Sequence, residues 1–91
     1  MGDDKMRVAD RISLKLKENF APQSLEVIDE SHLHAGHAGA PEGGQSHFRV
    51  TMRAEALAGL SRVAAQRRIY AVLKEEMAGP VHALALDVAA R

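Results

Sequence analysis

Five histidines carry most of the chemical potential of this sequence, and four of them, His32, His34, His37 and His47, fall between positions 32 and 47. Imidazole is the commonest transition-metal ligand and the side chain whose charge changes near neutral pH. His32, His34 and His37 are spaced H-x-H-x-x-H around Gly36 and Gly39, a backbone supple enough to bring their rings onto one zinc or iron ion. No Cys or carboxylate completes a closed four-ligand set beside them. On spacing alone, a solvated histidine-rich loop accounts for them as well as a metal site does. His82 stands apart, just beyond Gly79-Pro80.

Other chemistry is thin. There is no nucleophile elbow, no phosphate-cradling loop after a strand, and no pair of carboxylates on one face. Asp29 and Glu30 are adjacent and face opposite sides of any strand. The expectation is a protein that is not an enzyme. Gly36-His37-Ala38-Gly39 spells GxxG, the backbone clamp of KH nucleic-acid modules, but that clamp joins two helices whereas this one joins two strands. Arg62, Arg67, Arg68 and Lys74 make the last third locally basic, with five basic and three acidic residues from Ser61 to Arg91. A solvated helix face or a nucleic-acid contact would read the same way.

The elements that must hold these groups follow from periodicity. From Asp3 to about Asn19, Met6, Ala9, Ile12, Leu16 and Phe20 form the stripe of an amphipathic helix, leaving Lys5, Arg11, Lys15 and Glu18 for solvent. Asp3 or Asp4 caps its start and Pro22 stops it. Ser24 to Glu30 reads as a short strand, and residues 31–46, rich in His, Gly, Ala and Pro, as a long loop. His47 to Arg53 alternates, with Phe48, Val50 and Met52 inward. After a connector over 54–60, Ser61 caps a helix whose stripe is Val63, Ala64, Tyr70, Leu73 and Met77. Gly79 supplies a left-handed cap, and Pro80 bars continuation. Val81 to Ala90 is the last strand, and parity places His82 with Leu84, Leu86 and Val88.

The resulting order, helix-strand-strand-helix-strand, specifies an α+β fold with a three-stranded mixed sheet. The first two strands are antiparallel, the helical crossover returns the third parallel to the second, and both helices cover one face. The histidine loop and His82 then share one end of the sheet.

Composition sets the outer limits. Ninety-one residues with 46% hydrophobic and 26% charged side chains form one small globular domain over 1–91. The formal net charge is zero, which removes the global basic excess behind non-specific nucleic-acid binding. Aromatics are 3%, too few for a stacking platform, and cysteine is absent, so the chain has neither disulfide nor thiolate of its own. No apolar run approaches the ~20 residues of a membrane helix, and the acidic start lacks a signal-peptide core, giving a cytoplasmic expectation without membrane contact.

Five segments together resemble the BolA family: Leu25-Glu26-Val27-Ile28-Asp29-Glu30-Ser31, Ser46-His47-Phe48-Arg49-Val50, Leu60-Ser61, Arg67-Arg68-Ile69-Tyr70 and Gly79-Pro80-Val81-His82-Ala83-Leu84. They span about Met6 to the C-terminus. The resemblance implies a KH-like fold of class II type and a partner, a monothiol CGFS-type glutaredoxin, beside which a weak homodimer is a further association. Family members bridge a [2Fe-2S] cluster with the glutaredoxin cysteine, glutathione and their own histidines. His82 corresponds to the family's near-C-terminal ligand, and the strand-connecting loop offers His34 or His37. A chain without thiolates can still lend imidazoles, which raise a cluster's potential as in Rieske centres and release it as pH falls. The implied role is an adaptor in iron–sulfur cluster assembly or iron homeostasis. The family is also described as a DNA-binding regulator of morphology and stress genes. On that reading Arg62, Arg67 and Arg68 contact DNA or the partner. The family's Arg-x-Arg reads Ala65-Gln66-Arg67 here, one cation fewer, and each lost phosphate contact lowers the salt slope by roughly 0.9.

Overall fold

A computed structural model describes residues 7–30 and 47–91. Helix α1 spans Val8–Phe20, strand β1 Ser24–Asp29 and strand β2 His47–Arg53. A 3-10 turn at Glu55–Leu57 leads to α2 (Arg62–Val72), a short α3 (Lys74–Ala78) and β3 (Ala83–Ala89). The sheet order is β1-β2-β3, with β1 antiparallel and β3 parallel to β2. The expected topology is the observed one.

One face of this sheet is the core. Register places Leu25 beside Met52 and Val27 beside Val50, while Phe48, Val50 and Met52 pair with Leu84, Leu86 and Val88. Val8, Ile12, Leu16 and Phe20 of α1, with Ala65 and Ile69 of α2 and Leu73 beyond it, close over these side chains. The opposite face carries Glu26, Ile28, His47, Arg49, Thr51, Ala85 and Asp87, with no helix packed on it among the described residues. The wet face read from the alternation of β2 is therefore open across all three strands.

Several local expectations need correction. Arg7 is extended and α1 begins at Val8, not Asp3. Met6, Asp3 and Asp4 lie outside the described residues. The helix ends one residue past the expected Asn19, at Phe20. Ala21 follows with φ 44°, a left-handed residue whose N–H bonds the Lys17 carbonyl at 3.0 Å. Gly normally fills that position because it has no Cβ to crowd the carbonyl.

The second helix is two helices, broken at Leu73 (φ −99°, ψ 20°). Its buried row is Ala65, Ile69, Leu73 and Glu76, whereas Val63 and Tyr70 are 55% and 38% exposed. A Glu inside the row and a small Ala at its start disguised the true face. Gly79 has φ −111° and is not left-handed; Gly59, at φ 80°, is the described glycine that needs its missing Cβ.

Candidate metal-ligand site

The site is built at the sheet end where β2 begins. The Glu30 N–H donates to the His47 carbonyl at 2.7 Å, so the two described residues that flank 31–46 are held together. His47 is the first residue of β2, pairs with Ala83 of β3 and stands on the open face. His82 immediately precedes β3. Its ring stacks with that of His47, centroids 6.2 Å apart and planes 14° from parallel. His82 is exposed and His47 half-buried.

This corrects the position read from parity. β3 starts at Ala83, and a bend at His82 breaks the alternation. The side chain joins His47 instead of the row of Leu84, Leu86 and Val88. Val81 takes the buried place, its N–H bonded to the Glu76 carbonyl at 3.1 Å. Sequence reasoning placed His47 on the wet face but gave it no role; the signal that exposes one is the parallel register, which sets residue 47 beside residue 83. His32, His34 and His37, and the GxxG segment, lie outside the described residues. Among the described residues no three His, Cys, Asp or Glu side chains gather as a metal site.

The arginines are elsewhere. Arg62, Arg67 and Arg68 are exposed on α2, and no acidic residue occurs between Arg62 and Val72. Arg62 and Gln66 line a shallow cleft of about 200 Å³ against Leu86, Asp87 and Val88. That cleft starts four residues along β3 from His82, roughly 13 Å at strand rise. Among the described residues, the structure does not gather Arg62 with His47 and His82.

A charged cluster that the sequence hid lies under α1. Glu76 is fully buried, and Arg11 Nη2 donates to its Oε2 at 3.0 Å. Lys15 Nζ is 3.0 Å from Oε1 and 2.9 Å from Oε2, and also 3.2 Å from Glu75 Oε1. Arg11 and Lys15 are thus not left for solvent as expected. Burial is the largest influence on Glu76 and pushes its pKa up. The Lys15 hydrogen bond, the residue's own backbone and the charges of Lys15 and Arg11 together outweigh it, and the net shift is below the ordinary 4.5. For Lys15 the Glu76 hydrogen bond is the largest influence and raises the pKa above 10.5 against an opposing desolvation.

A family model described as BolA-like protein matches residues 16–91. This chain belongs to the BolA family. It is 48% identical over 86 residues to an uncharacterised Sinorhizobium protein, covering 93% of this chain and 92% of that one. It is 42% identical over 79 residues to the DNA-binding transcriptional regulator BolA of Vibrio cholerae, covering 87% and 71%. SufE-like protein 1 of Arabidopsis thaliana shares 39% identity over 80 residues, but the match covers only 22% of that longer protein. The solved BolA domain of SufE1 from Arabidopsis thaliana superposes with a TM-score of 0.79 at 36% identity, over 88% of this chain and 87% of that one. The BolA fold thus occurs both as a regulator by name and as a module within a SufE-like protein. Among the described residues of this BolA protein, no helix is long and apolar enough to cross a membrane.

Proposed function

We propose that this BolA protein is a non-enzymatic adaptor of iron–sulfur cluster assembly or iron homeostasis. On this reading it forms a heterodimer with a monothiol CGFS-type glutaredoxin around a [2Fe-2S] cluster. His82 and one loop histidine, His34 or His37, serve as its ligands, and the glutaredoxin cysteine and glutathione supply thiolates. The observation that carries the reading is the exposed His82 ring at the sheet end where Glu30 and His47, the described residues flanking 31–46, are joined by a hydrogen bond. The donor set fits: the chain has imidazoles and no cysteine, so it can complete a shared cluster but not build a thiolate cage alone. The SufE-like relative that contains a BolA domain agrees with such a role.

The test is reconstitution with iron, sulfide, glutathione and a monothiol glutaredoxin, with and without this protein, followed by visible absorbance and circular dichroism. A new spectrum that His82→Ala abolishes is the expected result. His34→Ala and His37→Ala then identify the second ligand. A spectrum identical to glutaredoxin alone would overturn the reading.

A second reading is DNA binding, favoured by the exposed Arg62, Arg67 and Arg68 on an α2 without acidic residues and by the name of the Vibrio relative. It requires duplex affinity by the protein alone that falls steeply with salt. Titration of a duplex across a salt series tests it.

A further inference from the structure

We propose that His47 is a positioning residue for His82: its ring is the surface that holds the His82 imidazole at the sheet end, and it does not itself ligate. The inference rests on the cluster-bridging reading above and assigns a new residue to that site.

The geometry separates the two roles. A nitrogen lone pair lies in the plane of its ring, so two imidazoles share one ion only when those planes direct their nitrogens at a common point. A metal–nitrogen bond is about 2 Å, which keeps two such donors within roughly 4 Å of each other. The rings of His47 and His82 instead form a stacked pair, 6.2 Å between centroids and 14° from parallel. The separation is that of an aromatic pair.

His82 needs such support. It sits on a bend outside the ladder, exposed, with Pro80 behind it and no strand pairing of its own. His47 is anchored twice: its carbonyl accepts from Glu30, and its place in β2 is fixed opposite Ala83. An imidazole on a bend has two free torsions. Packing one face against an anchored ring removes much of that freedom before a ligand arrives. Residues that orient a metal-ligating histidine are typically worth about 10–100-fold in metal affinity.

The experiment compares wild type, His47→Phe and His47→Ala in two measurements. In the unbound protein, the ring resonances of His82 are recorded by NMR. In the reconstituted mixture with glutaredoxin and glutathione, the visible circular dichroism of the bridged cluster and its rate of loss to a chelator are followed. His47→Phe keeps a flat ring without nitrogen donors. It is expected to retain the bridged spectrum and a loss rate near wild type. His47→Ala is expected to shift the His82 ring resonances and to lose the cluster about 10-fold faster. Thermal unfolding of both variants shows whether each is folded, and if His47→Ala is not, His47→Gln takes its place.

If wild type bridges the cluster and His47→Ala leaves spectrum, loss rate and His82 resonances unchanged, positioning is overturned while bridging stands. If His47→Phe fails as completely as His47→Ala, His47 contributes a nitrogen, and the stacking role is likewise overturned. If wild type forms no bridged cluster at all, the reading on which this inference rests falls with it.

Discussion

Lys15 and Glu76, 61 residues apart in the chain, meet with Nζ 3.0 Å from Oε1 and 2.9 Å from Oε2 of a fully buried carboxylate. Arg11 completes the clamp one helical turn earlier in α1, 3.0 Å from Oε2. Two cations on one stripe of α1 thereby hold the short α3, which has only five residues and no side-chain cap.

Replacing Glu76 by Gln keeps the shape and removes the charge both cations need. Breaking a buried pair by removing one partner costs ~3–5 kcal/mol when the remaining charge is trapped. Here Arg11 and Lys15 are partly exposed and can turn toward water. The expected loss is therefore smaller, about 2 kcal/mol, or a fall in Tm of roughly 10 °C for a chain of this size. Urea and thermal unfolding read it directly.

The same clamp gives stability two pH limits. Glu76 has a lowered pKa in the folded protein, so its contribution is present above the unfolded value of 4.5 and is lost as pH falls through the folded value. Lys15 has a raised one, so its contribution holds below 10.5 and disappears as pH climbs through the folded value above it. Unfolding free energy measured against pH should decline below 4.5 and again above 10.5 in wild type. In Glu76→Gln the acid decline is shallower and the alkaline one flattens.

Ala21 at φ 44° adopts a conformation that crowds its Cβ against the backbone. Ala21→Gly should raise stability by about 0.5–1 kcal/mol, the left-handed penalty removed less the greater freedom glycine has when unfolded. Chemical denaturation measures the gain; an unchanged midpoint would show the strain to be absent.

Ser61 caps α2, its Oγ accepting from the Ala64 N–H at 3.1 Å. Ser61→Ala should cost about 1 kcal/mol and fray the first turn, where Arg62 sits. Unfolding midpoints and amide exchange at residues 62–65 report it.

What the sequence made legible was what alternation and helical stripes encode. Phe48, Val50 and Met52 identify β2 and its inner face, and Ser61 and Pro80 mark where the crossover begins and ends. From these the topology follows. The buried row of α2 was misread because Glu76 belongs to it, and a carboxylate becomes a core residue only when Arg11 and Lys15 arrive from 65 and 61 residues away. His82 was misplaced because β3 begins only at Ala83 and a bend at His82 ends the alternation from which its face was read. Its neighbour His47 could be found only by aligning the two parallel strands, a relation no local window contains.

Among the described residues β3 pairs on one side only, with β2, and most of its side chains are half-buried. In the language of local opening, an edge strand such as β3 detaches at lower cost than β2, which has partners on both sides. Detachment would carry His82 away from His47 while leaving the β1–β2 hairpin intact. A ligand held through His82 therefore acts as a latch on that equilibrium: bound, it slows amide exchange along Ala83–Ala89; released, it returns the edge to breathing.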